Sequence, residues 1–208
     1  VAFTIAPYHA VNFYVRGAWA EYLAIAIMPW SLYWVRRLMY DEKTWLAYIG
    51  LTLSLAGIYL THNVTVLTFL PFWFVIALFL LFIYKKINKI IYLILAGGHA
   101  FLISAFFLLP AYVQKNYTRA DSLTQGFSYF KFHFLYLRQL FIPNWGYGGS
   151  VLGLDDDMSF YLGNEIIAFA GLAGLLLVWL YFTHKKQAIK NHLSIYIFLV
   201  FLLLFSLF

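Results

Sequence analysis

Cysteine is absent from the 208 residues, which excludes disulfides and thiolate metal sites. Charge is nearly as scarce. Asp, Glu, Lys and Arg make up 11% of the chain, against 64% hydrophobic and 22% aromatic residues. A soluble domain of this length could not hide so much apolar surface. Lys, Arg and Asp are missing from recurring stretches of about 17 to 23 residues, the length that a bilayer core demands. The n-region and cleavage site of a signal peptide are not read in these residues. No segment recurs at a period of 20–50 residues, so no repeat array is expected. The chain opens at Val1 and ends in the apolar run Leu193 to Phe208, so it is expected to be a piece of a longer protein.

What remains is an all-α, polytopic transmembrane helical bundle forming one domain over residues 1–208. About six spans are expected, at 17–35, 45–60, 64–84, 90–109, 161–182 and 193–208, with a long outer loop over 111–160. Pro29 suggests a kink in the first span, because proline removes a backbone donor. Pro110 is expected to close the fourth. Small residues mark packing seams: Ala170 with Gly174 on the fifth span, and Ala96-Gly97-Gly98 with Ala100 on the fourth. In the long loop, Phe127 to Ile142 is rich in aromatics with scattered Lys131, His133 and Arg138, which predicts an interfacial helix. Strand-like alternation through Phe130, Phe132 and Phe134 competes with that reading. Asn144 to Gly163 is glycine-rich, a turn-filled loop whose backbone can approach a ligand closely.

The net charge of +6 belongs to membrane topology rather than to nucleic acid. Nine of the fourteen basic residues (Arg36, Arg37, Lys43, Lys85, Lys86, Lys89, Lys185, Lys186 and Lys190) fall in three short loops. These loops share one side if each span crosses once, and that side is then cytoplasmic. The short loop after the first span also carries Asp41 and Glu42. The chain is thus placed in the cytoplasmic membrane, with membrane lipid as a partner. Trp30, Trp34, Trp45, Tyr84 and Trp179 would form the cytoplasmic aromatic belt.

Ionisable residues where apolar segments meet are functional-site candidates. Arg16 and Glu21 flank the outer start of the first span. They could bind a phosphate and a hydroxyl, or be a snorkelling arginine and a structural carboxylate. Five apart, they would not share a face of one straight helix. His62 and Asn63 form either a tight outer hairpin or the apex of a polar pocket. His99, mid-span beside two glycines, reads as a buried, hydrogen-bonded histidine or a proton relay. Asp155, Asp156 and Asp157 could hold a divalent cation or sugar hydroxyls, or could simply be solvated. No metal ligand set is assigned, and no cofactor beyond that cation. Asn164 is expected to cap the fifth span, with Glu165 at its positive end. Asn63 and Asn116 head N-x-T sequons on the expected outer side.

PYHAVNFYVRGAWAEYLA (Pro7 to Ala24), LTHNVTVLTFLP (Leu60 to Pro71), ISAFFLLPAYVQKNY (Ile103 to Tyr117) and PNWGYGGSVLGLDDDMSFYLG (Pro143 to Gly163) occur in this order. Together, and chiefly through Y-x-R-G-x-x-x-E and H-N, they resemble the prokaryotic integral-membrane proteins labelled 6-pyruvoyl-tetrahydropterin synthase-related. The three-histidine zinc pattern of the soluble pterin synthases is not found here. The resemblance implies similarity to C-type membrane glycosyltransferases, which take sugar from a polyprenyl-phosphate donor at the outer face. It places Arg16 at the donor phosphate, with Glu21, His62 and Asn63 shaping the pocket. Asp155 and Asp156 then lie on the acceptor side. In that class an acidic residue in the first outer loop acts as base or metal ligand, and the resemblance implies that this loop precedes Val1. The competing class is a non-enzymatic transporter or flippase component for lipid-linked glycans, which should carry polar groups near the midplane.

Overall fold

The computed structural model describes residues 6–40, 44–118, 126, 129–153, 155–184 and 187–205. The charged triplet Asp41-Glu42-Lys43, the pair Lys185-Lys186, Phe127-Ser128 at the start of the expected interfacial helix, and 206–208 of the last expected span lie outside them. Helix dominates, and no strand forms among the described residues. The helices are α1 (Pro7–Ala10), α2 (Trp19–Tyr40), α3 (Thr44–Thr61), α4 (Asn63–Ile83), α5 (Ile90–Val113), α6 (Asn164–His184) and α7 (Gln187–Phe205). Among the described residues four helical stretches are long and apolar enough to cross a membrane: Thr44–Thr61, Asn63–Ile83, Ile87–Val113 and Asn164–Thr183. Ile189–Leu202 is a shorter apolar stretch. Large apolar side chains such as Leu67, Phe82, Phe106 and Leu175 are at least 70% exposed. A soluble monomer does not present apolar surface on that scale.

The chain divides into two compact units, Val1–Trp19 with Asn116–Phe208, and Ala20–Lys115. The second unit is built around α3, whose Ala47, Leu51, Leu55, Ala56 and Ile58 are buried. On one side α2 runs antiparallel to it. Gly57 faces Ile27, and Gly50 leaves no room for a methyl group beside the Trp34 indole. On another side α5 runs parallel to α3. Lys89 Nζ donates to Thr44 Oγ1 at 2.8 Å, and Ser104 Oγ donates to the Ala56 carbonyl at 3.4 Å. Ala96, Ala100 and Ser104, four apart, are fully buried. A stripe of small residues lets two backbones approach closely. The expected seam is therefore real for Ala96 and Ala100. A methyl group on Gly97 or Gly98 would meet nothing, so these glycines lie off it.

In the first unit α6 and α7 pair. Gly174 receives the Tyr196 ring, and Tyr196 Oη donates to the Ala170 carbonyl at 2.9 Å. The seam expected at Ala170 and Gly174 is thus occupied by one tyrosine.

Several boundaries differ from expectation. The first expected span, 17–35, is a helix from Trp19 to Tyr40. Gly17 stands at φ +60°, outside the helical region. Arg36 and Arg37 are good helix formers, so the helix outlasts the apolar run. Pro110 does not end α5, which continues to Val113. One proline in the last turn removes one backbone hydrogen bond, and Gln114 N still donates to the Pro110 carbonyl. The expected interfacial helix is instead two short 3₁₀ turns, Phe130–His133 and Leu137–Leu140, with Phe134 and Tyr136 extended between them. Crowded aromatics lose rotamer freedom in a helix. Gln139 also closes a fresh turn by accepting from Tyr136 N at 2.6 Å.

Candidate functional site

Arg16 follows a single π-helical turn, Val11–Val15. That turn brings three polar side chains of the first unit together. Arg16 Nη1 donates to Asn12 Oδ1 at 2.6 Å and to Tyr8 Oη at 2.9 Å. Asn12 is fully buried, while Arg16 is exposed. The guanidinium is therefore aimed by an anchored amide rather than left to swing, which lowers the ordering cost of engaging an anion. Tyr8 and Asn12 went unassigned in the sequence. Their spacing from Arg16, eight and four residues, is the signal that helical geometry would have offered.

Glu21 sits half-buried in the first turn of α2, in the second unit. His62 and Asn63, also in that unit, take local roles. His62 is the N-cap of α4, in extended backbone conformation. Its Nδ1 accepts from Thr65 N at 3.2 Å and lies 2.8 Å from Thr65 Oγ1. Asn63 is the exposed first residue of the helix. The hairpin alternative for this pair matches the geometry. Truncating His62 to alanine should cost about 1 kcal/mol, as loss of a cap does, and asparagine should restore most of it. Thermal unfolding of the two variants in detergent checks this, and equal melting of H62A and parent would remove the cap from the account.

His99 differs from the expected buried residue. It is exposed at the middle of α5, hydrogen-bonded to Tyr48 Oη of α3. The two flank a shallow apolar groove of about 330 Å³ that reaches Thr52, whose buried hydroxyl finds no hydrogen-bond partner among the described residues.

The long loop of the first unit that precedes α6 is knitted to itself. Asp156 accepts from Val151 N at 2.7 Å through Oδ1, and from Gln139 Nε2 through Oδ2. Gly148 N donates to the Asp157 carbonyl at 3.0 Å, and Asp157 N donates to the Gly149 carbonyl at 3.2 Å. His133 Nδ1 lies 2.9 Å from Ser150 Oγ, and Leu162 N donates to the Leu140 carbonyl at 3.1 Å. The glycines were expected to let backbone approach a ligand. At Gly146 and Gly148 they admit Asp157 instead, against which neither position could carry a methyl group. Gly163, at φ +97° and packed on Pro7, supplies the carbonyl that receives Ile167 N at the start of α6. The cap expected of Asn164 therefore falls one residue earlier. Glu165 is in the first turn, where a carboxylate suits the helix dipole.

These closures leave a cleft of about 400 Å³ between the turn at 137–144 and the acidic segment. Arg138, Asn144 and Asp155 line it, with Ile142, Met158 and Phe160 as its apolar part. The Gln139–Asp156 pair forms the wall between them. Of the six candidate residues, the structure brings together Asp155 and Asp156. It adds Arg138 and Asn144, which the sequence did not single out as a site. No group of three His, Asp or Glu residues suited to a metal ion occurs among the described residues. Comparison of the chain with protein-family models, curated protein sequences and solved structures returns no match.

Proposed function

We propose that this chain is an integral-membrane, glycosyltransferase-like protein that acts on lipid-linked sugars at the outer face of the cytoplasmic membrane. The observation that carries the reading is the oriented Arg16 guanidinium, held by Asn12 and Tyr8 just before α2 begins. A permanently charged fork at headgroup depth suits a polyprenyl phosphate. Glu21, His62 and Asn63 shape the polar surroundings on their own unit, and Asp155 and Asp156 serve the acceptor side. In this reading the chain crosses the membrane six times, with Arg36, Lys86 and Lys185 cytoplasmic and Asp156 external.

Two measurements test it. The chain has no cysteine, so single cysteines report sidedness without background. Labelling from outside is expected at position 156 and not at 86, and the reverse result overturns the topology. In a transfer assay with a polyprenyl-phosphate sugar, Arg16→Lys keeps the charge and loses the fork, so donor use should fall about tenfold or more. Glu21→Gln asks separately whether the carboxylate acts as an anion. If both variants insert normally and turn over like the parent, these residues are structural.

One observation favours a second reading, a transporter or flippase component for lipid-linked glycans. His99, paired with Tyr48 near the start of α3, lies at the middle of α5, where a transporter would carry polar groups. Movement of lipid-linked glycan between leaflets, without transfer by the parent protein, would select it.

A further inference from the structure

We infer that the outer-loop cleft is a saccharide-binding subsite, in which Asp155, Arg138 and Asn144 hold ring hydroxyls and Phe160 with Met158 supports the apolar face of the sugar. The inference deepens the reading above and rests on it for the role of the bound sugar, though not for the binding itself.

The chemistry of the lining decides among ligands. Asp156, the best-held carboxylate, has both oxygens committed to Val151 N and Gln139 Nε2. It is part of the wall and has little left to offer a ligand. Asp155, one residue away, is exposed and lines the same cleft. A divalent cation needs six to eight oxygens. Here it would meet the Asp155 carboxylate and the Arg138 guanidinium, which repels it. A phosphate would be drawn to Arg138 and repelled by Asp155. A neutral polyol suits both groups at once. Its hydroxyls donate to Asp155, accept from Arg138, and do either with the Asn144 amide. The apolar residues then take the ring C–H groups, as ligand pockets pair an apolar lining with a few placed polar groups. The size agrees, since about 400 Å³ is at the small end of the range for ligand sites and suits a mono- or disaccharide. The cleft is also preformed, because the hydrogen bonds that shape it are made within the loop.

The test uses the purified full-length protein in lipid nanodiscs. Methyl glycosides of glucose, galactose and mannose, and N-acetylglucosamine, are titrated separately with saturation-transfer NMR as readout. At least one should bind, and Asp155→Asn and Arg138→Gln should each weaken it about tenfold or more. Gly97→Ala, whose methyl group meets nothing, should leave that binding unchanged. Resistance of the loop to protease shows that the variants retain its shape. Three outcomes overturn the inference. No glycoside binds; or binding is indifferent to both cleft variants; or calcium chloride binds in an Asp155-dependent way while the glycosides do not. The transfer assay separates this inference from the enzymatic reading. Transfer that persists with unchanged acceptor KM in both cleft variants removes the subsite and leaves the enzyme. Asp155-dependent glycoside binding in a protein that transfers nothing removes the enzyme and leaves the subsite.

Discussion

Replacing Gly146 with alanine should open the loop that precedes α6. The new methyl group would fall on the backbone carbonyl of Asp157, which cannot rotate aside as a side chain can. Ordinary overpacking costs roughly 1–3 kcal/mol. A clash with main chain in a segment closed on both sides belongs at or above the top of that range. The bonds of Gly148 and Gly149 with Asp157 would be lost together, because they close the same loop. Local opening controls proteolysis, so a cost of about 3 kcal/mol implies cutting between 144 and 158 roughly a hundredfold faster. The membrane helices should melt as in the parent. If Gly146→Ala resists protease like the parent, the close approach is not a constraint.

The second large effect is expected inside the other unit. Alanine at Gly50 would put its methyl group into the Trp34 indole, where α2 crosses α3. The ring body is struck rather than a flexible tip, so the helices must separate or the indole must leave its place. A loss of about 1–3 kcal/mol is expected, read as a lower thermal midpoint in detergent. The cause can be isolated. With Trp34→Ala in the same chain the obstacle is gone, so the double variant should cost clearly less than the sum of the two single ones. Strict additivity, or a Gly50→Ala protein that melts like the parent, would dismiss the packing argument.

The apolar runs made α3 and α4 legible almost to the residue, since a stretch of bilayer length has few alternatives to helix. Legibility failed where hydropathy and backbone preference part company. Arg36 and Arg37 end the apolar run but not the helix, because hydropathy reports where oil meets water and not where helical φ and ψ stop. The stretch from Phe130 to Leu140 failed for a related reason. Its alternating aromatics suited two periods at once, and the outcome was settled by Gln139 reaching back to Tyr136 N, a contact that no period encodes. The site was less legible. Asp155 and Asp156 stood out as acidic neighbours. Arg138 is 17 residues from Asp155 and enters the cleft only because Gln139 pairs with Asp156. His62 attracted notice as an ionisable group and proved to be a cap, a task usually given to Ser, Thr, Asp or Asn.

The contact between Pro7 and Gly163 carries a consequence in time. All of α3, α4 and α5 can find their neighbours within Ala20–Lys115 as soon as that stretch has been made. The segment holding Arg16 belongs to the unit completed by Asn116–Phe208, so Pro7 must wait for a residue 156 positions later. At synthesis rates of about 5–20 residues per second, that interval is roughly 8–30 seconds. During it the Arg16 segment lacks its Gly163 contact, while the helices within Ala20–Lys115 already have their partners in the chain. The order of assembly therefore runs from the middle of the sequence outward, and the residues proposed to meet the donor phosphate are among the last to be fixed.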